Sequence, residues 1–330
     1  MLPRITLLAT GGTIASQETD QGLMPLTKAE GILKFMPSLL KRADITARDV
    51  FMLDSSNIQP EEWQQLAKAV LEAAETADGI VITHGTDTMA YSASALSFML
   101  PGIGIPVVFT GSQLPLQHPF SDAAGNLREA FAMAVSGRPG VYVSFHHKVI
   151  YGTRAVKMRT LGFDAFDSIN LPPVGHFDAD GLRLLPEGEP RGAIRVEDPL
   201  AIDPRVFLLK MMPGTDPEIF DHIKSAGYRG LVLEAFGLGG LHYIRRNLIQ
   251  KLRELSEAGV ITLVTTQCLY EKADFAIYEV SRGLVSGGIY GAHDMTTEAA
   301  VTKLMWALGD LDARRHLLTT CLNHEMAEKA

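Results

Sequence analysis

The chain has 330 residues, of which 46% are hydrophobic and 21% are charged, and its formal net charge is −8. This length exceeds one ordinary hydrophobic core and predicts two domains, while the acidic balance argues against binding to nucleic-acid phosphates. Two cysteines, Cys268 and Cys321, are too few for a disulfide framework and indicate a reducing compartment. We find no signal-peptide pattern, and glycine and proline interrupt the longest apolar stretch, so we expect a cytoplasmic protein without a membrane span.

The first predicted element is a buried strand, because residues 5–9 are rich in Ile and Leu. It runs into Thr-Gly-Gly-Thr at 10–13, where two glycines allow a sharp turn and let a ligand approach Thr13. For this stretch alone, the Thr13 hydroxyl could be a nucleophile, a helix cap or, more commonly, a hydrogen-bonding group in a turn. The polar segment 16–25 has no hydrophobic period and predicts a mobile loop beside the strand end.

Strands and helices then alternate along the first half of the chain. Further strands are predicted to end at 50–53 and to span 79–83 and 106–110, with a hairpin at 141–145 and 149–151. Helices are predicted at 28–35, from Pro60 onward, at 89–100 and after Ser121 or Asp122. Continuous apolar strands alternating with helices are typical of a doubly wound, mostly parallel sheet.

Four of the predicted strands end in clusters of hydroxyl or acidic side chains. These clusters lie at 10–13, 54–56, 83–88 and 110–112. Each alone could start a turn or a helix, but the carboxyl ends of parallel strands share one sheet edge, where ligands bind. Together the clusters predict a polar pocket for a small hydrogen-bonding ligand.

The strand–helix alternation fades between 185 and 204, and a smaller α/β domain is predicted after it. Its strands are expected at 206–210, 230–234 and 260–265, and its helices at 217–226, 247–257 and after Asp294 or Thr296. The charged, Gly/Pro-rich segment 187–192 is typical of a linker. We therefore predict an N-terminal domain over 1–188, a linker over 189–204 and a C-terminal domain over 205–330.

Several common catalytic motifs are absent from the sequence. It contains no phosphate-binding glycine loop of the P-loop or dinucleotide type and no Gly-x-Ser-x-Gly elbow. Adjacent histidines at 146 and 147 would point to opposite faces of a strand, so we expect no metal site there. Cys268 follows a predicted buried strand and is expected to be a small core residue. No cofactor is predicted.

The segments Thr-Gly-Gly-Thr-Ile-Ala at 10–15 and His-Gly-Thr-Asp-Thr at 84–88 resemble the two signature motifs of the L-asparaginase family of amidohydrolases. Similar segments at 110–113, 162–166 and 293–298 extend the resemblance through both predicted domains. The Asp-Ser-Ser sequence at 54–56 is similar to the cytoplasmic, type I branch. The resemblance implies hydrolysis of L-asparagine to L-aspartate and ammonia through an acyl-enzyme intermediate, with no cofactor and no metal. It also implies a homodimer or homotetramer in which one C-terminal domain completes the neighbour's pocket.

The same resemblance implies roles for individual residues. Thr13 would be the nucleophile, and the second catalytic group would be Thr86, Asp87 and Lys157, in which the lysine relays a proton. The implied substrate-binding residues are Gly12, Asp54, Ser55, Ser56, Thr86 and Asp87. The residues themselves also allow simpler roles: helix caps for Thr86 and Asp87, a surface charge for Lys157, and turn residues at 54–55.

The sequence departs from the family pattern on the segment after the first strand. Many relatives carry a tyrosine there, whereas this chain has Leu23. Tyr270 and Glu271 are candidate substitutes, although the simpler interpretation of these two residues and Glu298 is that they are solvated loop or helix-start residues.

Two alternative functions follow from the resemblance and from this departure. One is a non-catalytic sensor of asparagine or aspartate, and the other is the asparaginase-like subunit of a tRNA-dependent amidotransferase. Glutamine differs from asparagine by one methylene, so the sequence leaves that preference open.

Overall fold

The computed structural model describes residues 1–19, 22–186, 195–274 and 287–327. The chain divides into two compact units, 1–200 and 201–330, and each contains its own mostly parallel sheet. This arrangement confirms the predicted two-domain α/β fold class. The boundaries at 188 and 204 stay a prediction, and residues 187–194, which include the whole Gly/Pro-rich segment 187–192, lie outside the described residues.

The first unit consists of strands, helices and short 3-10 turns. Its strands are β1 (Arg4–Gly11), β2 (Ser16–Thr19), β3 (Gly22–Pro25), β4 (Asp44–Leu53), β5 (Gly79–Thr83), β6 (Pro106–Thr110), β7 (Gly140–Phe145), β8 (Lys148–Tyr151), β9 (Ala155–Lys157), β10 (Phe166–Ser168), β11 (Gly175–Asp178) and β12 (Gly181–Leu184). Its helices are α1 (Ala29–Lys34), α2 (Pro60–Ala74), α3 (Met89–Met99) and α4 (Ala123–Val135). The 3-10 turns are Thr13–Ala15, Leu39–Lys41 and Ser55–Asn57.

An eight-stranded sheet organises this unit, in the order β12-β11-β8-β7-β6-β5-β1-β4. The strands from β7 to β4 are mutually parallel, while β8, β11 and β12 are antiparallel additions at one edge. Counted along the chain, the parallel strands lie in the order 2-1-3-4-5. Because that order reverses beside β1, the crevice at the carboxyl ends of β1 and its neighbours is the expected ligand site.

Helices cover both faces of the sheet. On one face α1 and α4 pack against a cluster of buried apolar strand residues that includes Leu7, Val81 and Val108. Helices α2 and α3, which contact β5 and β7 respectively, lie outside this cluster. Trp63 of α2 donates a hydrogen bond from Nε1 to Ser92 Oγ of α3 at 2.9 Å, which joins these two helices.

The segment 16–25 differs from its prediction. A loop was expected, but β2 and β3 pair as an antiparallel hairpin, with Ser16 opposite Pro25 and Gln17 opposite Met24. Backbone pairing of a two-stranded ribbon needs no alternation of apolar side chains, so the hydrophobic pattern does not reveal it. Residues 20–21 and the side chain of Leu23 lie outside the described part of the chain.

The predicted hairpin at 141–145 and 149–151 is confirmed as β7 and β8, and the histidine pair lies in its turn. His146 and His147 lie in the turn between β7 and β8 with φ of 44° and 65°, not on a strand. His147 Nδ1 lies 2.6 Å from Glu129 Oε1, so the side chain is engaged with a carboxylate. Within the described ranges, no group of three or more His, Cys, Asp or Glu side chains is arranged to hold a metal ion.

The second unit is smaller and has a four-stranded parallel sheet in the order β13-β14-β15-β16. Its strands are β13 (Val206–Lys210), β14 (Gly230–Ala235), β15 (Ile261–Thr266) and β16 (Ile289–Gly291). Its helices are α5 (Glu218–Ser225), α6 (Leu248–Glu257), α7 (Thr297–Gly309) and α8 (Leu311–Arg314), followed by a 3-10 turn at Arg315–Thr319. No helix in the described ranges is both long and apolar enough to cross a bilayer.

Polar side chains at the helix starts explain several of these boundaries. Asn247 Oδ1 accepts from Gln250 N at the start of α6, and Thr296 Oγ1 accepts from Ala299 N at the start of α7. The expectation for Cys268 is wrong, because this residue is exposed beyond the end of β15. A buried strand does not keep the residues that follow it inside the core.

Candidate functional site

The turn that follows β1 lies against the turn that follows β5. Gly12 has a φ of 77°, and a Cβ built on it would lie 2.3 Å from Gly85 N, so only glycine fits at this contact. Gly12 N also donates to Leu53 O at the end of β4, at 2.9 Å. The backbone therefore places the residues after these glycines, Thr13 and Thr86, on adjoining turns.

The end of β4 contributes Ser55 to the same place. A Cβ on Gly85 would lie 2.5 Å from Ser55 Oγ, and Thr88 Oγ1 donates to Ser55 O at 2.8 Å. Ser55 is buried, whereas Asp54 and Ser56 are exposed on either side of it. The Asp54 carboxylate accepts from Ser56 N at 2.9 Å and caps the short 3-10 turn, so the simpler turn role fits Asp54.

The ammonium group of Lys157 joins two of the predicted residues. Its Nζ donates to Thr86 Oγ1 at 2.7 Å and to Asp87 Oδ1 at 2.6 Å. The side chain of Lys157 is 18% exposed and that of Asp87 is 60% exposed, so the lysine is not a solvated surface charge. Thr86 is not the cap of α3, because Thr88 occupies the N-cap position. The structure thus brings a lysine, a buried hydroxyl and a carboxylate into one hydrogen-bonded group.

The geometry of this group suits proton transfer. A lysine within hydrogen-bond distance of a hydroxyl can exchange a proton with it, and a neighbouring carboxylate stabilises the ammonium form. The position of Lys157 is fixed by the pairing of β9 with β10, in which Lys157 lies opposite Phe166. The side chain of Phe166 is buried, so this strand pair is anchored in the core.

Gln113 is a residue of this site that the sequence analysis did not single out. Its Oε1 accepts from Thr86 Oγ1 at 3.4 Å, and its Nε2 donates to Gly162 O at 3.0 Å and to Thr160 O at 3.2 Å. The side chain therefore connects Thr86 to the segment before β10. Its position in the 110–113 motif was the available signal.

Thr13 begins the 3-10 turn after β1 and is partly exposed. Ala15 N and Ser16 Oγ both donate to Gly12 O at 3.0 Å, which fixes the turn. The Thr13 side chain is thus held on a defined backbone without being sealed inside the core, as a reacting hydroxyl requires.

His84, the first residue of the second motif, is fully buried. Its Nδ1 lies 2.7 Å from Gly85 O, and since a carbonyl can only accept, Nδ1 carries the hydrogen. Burial lowers the pKa of His84 from 6.5 to about 4, so the ring is neutral near pH 7. The histidine supports the peptide that precedes Thr86.

The remaining predicted residues belong to the second unit. Tyr270 is 53% exposed and Glu271 has a φ of 75° in the segment after β15. Glu298 lies in the first turn of α7, where burial, assisted by the Glu234 carboxylate, raises its pKa to about 7. Glu298 is therefore a half-buried residue at a helix start.

Fold and geometry together define an α/β protein of two units, with hydroxyl, carboxylate and ammonium groups gathered at the switch point of a doubly wound sheet. The family description "Asparaginase, N-terminal" matches residues 4–188, and "Glutaminase/Asparaginase C-terminal domain" matches residues 205–318. The chain belongs to the asparaginase family.

Similar proteins include an L-asparaginase from Thermococcus kodakarensis, 44% identical over 324 residues that cover 96% of each chain. The D subunit of glutamyl-tRNA(Gln) amidotransferase from Methanosarcina mazei is 38% identical over 94% of this chain and 75% of that subunit. Among solved structures, the thermostable L-asparaginase of T. kodakarensis superimposes with a TM-score of 0.90 at 42% identity, covering 99% of this chain and 100% of the other. L-asparaginase I from Vibrio cholerae gives a TM-score of 0.85 at 30% identity with the same coverage.

Proposed function

We propose that this protein is an L-asparaginase that hydrolyses L-asparagine to L-aspartate and ammonia. Family membership and the 44% identity to a protein named L-asparaginase support this function. The observation that carries this function is that Lys157 is hydrogen-bonded to Thr86 and Asp87. The turn of Thr86 and Asp87 lies against the turn that bears Thr13.

The proposed reaction has two steps. The Thr13 hydroxyl oxygen attacks the side-chain carboxamide carbon, the C–N bond breaks, and the hydroxyl proton ends on the departing ammonia. Water then attacks the aspartyl ester, releasing aspartate and restoring the hydroxyl. In the first step the Thr13 proton would pass through the Thr86 hydroxyl and Lys157 to the departing nitrogen. In the second step a proton of the attacking water would pass through the same groups to the Thr13 oxygen.

The substrate is a zwitterion, and the site offers groups for both of its charges. The exposed Asp87 carboxylate would bind the α-ammonium group, and the Ser55 hydroxyl would donate to the α-carboxylate, with Asp54 and Ser56 beside it. The backbone of Gly12, the neighbour of Thr13, would border the carboxamide. These contacts fix the carbonyl carbon near the attacking oxygen, which lowers the entropic part of the barrier.

Replacement of Thr13 by alanine tests this function. We expect Thr13→Ala to lower ammonia release from L-asparagine by about a thousandfold or more, because no other hydroxyl takes its place in the ester. Thr46→Ala is the matched control, since Thr46 is an exposed residue of β4, and should retain wild-type activity. Equal ammonia release by wild type and Thr13→Ala, with unchanged thermal midpoints, would exclude Thr13 as the nucleophile.

The same assay separates the two alternative functions. A sensor would be stabilised against heat by asparagine or aspartate without releasing ammonia. A tRNA-dependent amidotransferase subunit, suggested by the M. mazei relative, would release ammonia efficiently only with its partner protein. Steady ammonia release by the purified chain alone contradicts both.

We further propose that the protein is a cytoplasmic homodimer or homotetramer, as the family resemblance implies. Such an assembly would allow Tyr270 or Glu271 of one copy to assist Thr13 of another in place of the missing loop tyrosine. Alanine substitution of each residue, followed by kcat and KM measurement, tests these two assignments.

A further inference from the structure

A cavity lies at the end of the large sheet opposite to the candidate site. It has a volume of about 350 Å³ and lies between the turn before β4 and the last two turns of α4. Because β4 starts and α4 ends at this place, the cavity is at the amino ends of the parallel strands. Its volume falls within the range of pockets that hold small molecules.

The floor of the cavity is apolar. Leu39, Ala43 and Phe131 line it and are almost completely buried, while Val135 is 44% exposed. Phe131 and Val135 lie four residues apart on α4 and so share one helix face. This surface suits an alkyl or aryl group rather than a polar ligand.

Two arginines, Arg42 and Arg128, line the same cavity and are exposed. Arg128 precedes Phe131 by three residues and lies on the same face of α4. Within the described part of the chain, neither guanidinium has an ion-pair partner, and the cavity lining includes no acidic side chain. The chain has a net charge of −8, so acidic side chains outnumber basic ones. Two arginines without an ion-pair partner among the described residues, beside one apolar cavity, therefore indicate a preference for an anionic ligand.

In a neighbouring hollow the arginine is paired with a carboxylate of the chain itself. This hollow shares Ala43 with the cavity, but its arginine, Arg4, donates to both carboxylate oxygens of Asp78 at 2.8 and 3.3 Å. That charge is already compensated and gives no preference for an anion. The two hollows therefore differ in whether their arginines already have a carboxylate partner.

We propose that the cavity binds a small amphiphilic carboxylate, with its carboxylate on Arg42 and Arg128 and its apolar chain over Phe131. Arginine binds carboxylates through two parallel hydrogen bonds, and burial of the chain adds about 0.8 kcal/mol per methylene. The inference does not depend on the reaction proposed above, because none of these residues belongs to that site.

Isothermal titration calorimetry with octanoate and with 4-phenylbutanoate tests the proposal on the full chain. We expect saturable binding at one site per chain. Octanamide, which keeps the chain but lacks the charge, should bind at least about tenfold more weakly, because the charge-assisted hydrogen bonds are lost. The tighter of the two carboxylates identifies whether the natural ligand is aliphatic or aromatic.

Three variants locate the binding. Arg42→Ala/Arg128→Ala should weaken octanoate at least about tenfold, and Ala132→Trp, at an exposed position that lines the cavity, should abolish binding by filling the space. Lys68→Ala/Arg253→Ala removes the same charge from exposed positions elsewhere and should bind as the wild type does. Circular dichroism and the sedimentation mass of each variant establish that fold and assembly are unchanged.

Four results would overturn the proposal. The first three are the absence of saturable binding, equal affinity for octanoate and octanamide, and binding that survives both the arginine and the tryptophan substitutions. The fourth combines two observations: the wild type does not bind octanoate, and Ala132→Trp changes the sedimentation mass. This result would mean that a second copy of the chain covers the cavity.

Discussion

Lys157 divides its hydrogen bonds between a buried hydroxyl and an exposed carboxylate. Because Asp87 is largely in solvent, water and salt screen this ion pair, and it contributes little to folding. The same arrangement leaves the carboxylate accessible to a cationic group of a ligand. The Lys157–Asp87 ion pair is therefore better explained by a role in ligand binding and proton transfer than by a contribution to the free energy of folding.

Substitution of Lys157 by methionine should separate these two effects. We expect Lys157→Met to lower kcat for asparagine by about a hundredfold or more, because proton transfer to and from the hydroxyls is lost, while the thermal midpoint changes little. Lys148→Met is the matched control, since Lys148 forms a similar partly exposed ion pair with Asp167. Unchanged kcat in Lys157→Met would remove the lysine from the mechanism.

His84 makes a prediction about pH and stability. Its pKa is 6.5 in an unfolded chain and about 4 in the fold, so below pH 6.5 the unfolded state binds more protons than the folded state. The free energy of unfolding therefore falls as pH decreases from 6.5 to 4, by about 3 kcal/mol from this residue.

Urea unfolding at a series of pH values tests this contribution. His84→Asn should have a flatter dependence than the wild type between pH 6.5 and 4, whatever its stability at pH 7. His222→Asn, at an exposed position of α5, should follow the wild type. A wild-type slope in His84→Asn would mean that His84 is not the buried neutral group described above.

At this scale the motifs supplied candidate site residues but not the contacts between them. Thr86, Asp87 and Lys157 come together as expected, although their proposed roles still need the experiments above. Gln113 was overlooked because its importance depends on reaching 160–162, a long-range contact that leaves no local pattern. Cys268 was misplaced because the burial of β15 was extended to a residue beyond its end, although that end was itself predicted to within one residue.

At the scale of elements, the C-terminal segment is joined to α7 by a buried ion pair. Lys303 Nζ lies 2.7 Å from Glu325 Oε1, both side chains are fully buried, and Lys303 also donates to Thr320 O at 2.7 Å. Burial alone would raise the pKa of Glu325, but Lys303 and the N–H groups of Leu322 and Asn323 lower it. The carboxylate is therefore ionised and fully hydrogen-bonded.

Loss of one partner should destabilise this unit strongly. Lys303→Met leaves a buried carboxylate without its cation, and we expect a loss of about 3–5 kcal/mol in the free energy of unfolding, with part recovered in Lys303→Met/Glu325→Gln. Lys251→Met, which breaks the more exposed pairs with Asp221 and Glu254, should cost about 1 kcal/mol or less. Urea unfolding followed by tryptophan fluorescence in a Trp63→Phe background, where Trp306 is the remaining reporter, measures each variant. Equal losses in Lys303→Met and Lys251→Met would contradict the prediction.

Elements with strong hydrophobic patterns were predicted well, and those without were not. The strands β5 and β6 have the predicted bounds, because each is a continuous apolar run followed by polar residues. The hairpin of β2 and β3 carries no such pattern, since its backbone pairing satisfies N–H and C=O groups without burying a face. The hairpin of β7 and β8, with the histidines in its turn, was predicted because two apolar runs flank a short polar segment.

At the scale of the whole molecule, alternation of strands and helices was enough to predict the fold class. The strand order was not predictable, because pairing β4 beside β1 depends on contacts between residues about 40 positions apart. That order nevertheless determines where the site lies, since it creates the switch point beside β1.

Sedimentation velocity tests the proposed assembly of the whole protein. We expect a species with two or four times the mass of one chain at micromolar concentration, and coupled loss of assembly and activity on dilution. A monomer that retains full ammonia release would contradict an active site completed by a second copy. The candidate site would then have to be complete within one chain.

The contact between Gly12 and Gly85 limits how this protein could be altered by laboratory evolution. A single methyl group at Gly12 would overlap the neighbouring backbone by more than an ångström, and no flexible side chain there can move aside. A library randomised at both codons should return glycine at Gly12 in nearly every active clone. Diversity aimed at a new amide substrate is better placed at positions 54, 56 and 113, which surround the contact without forming it.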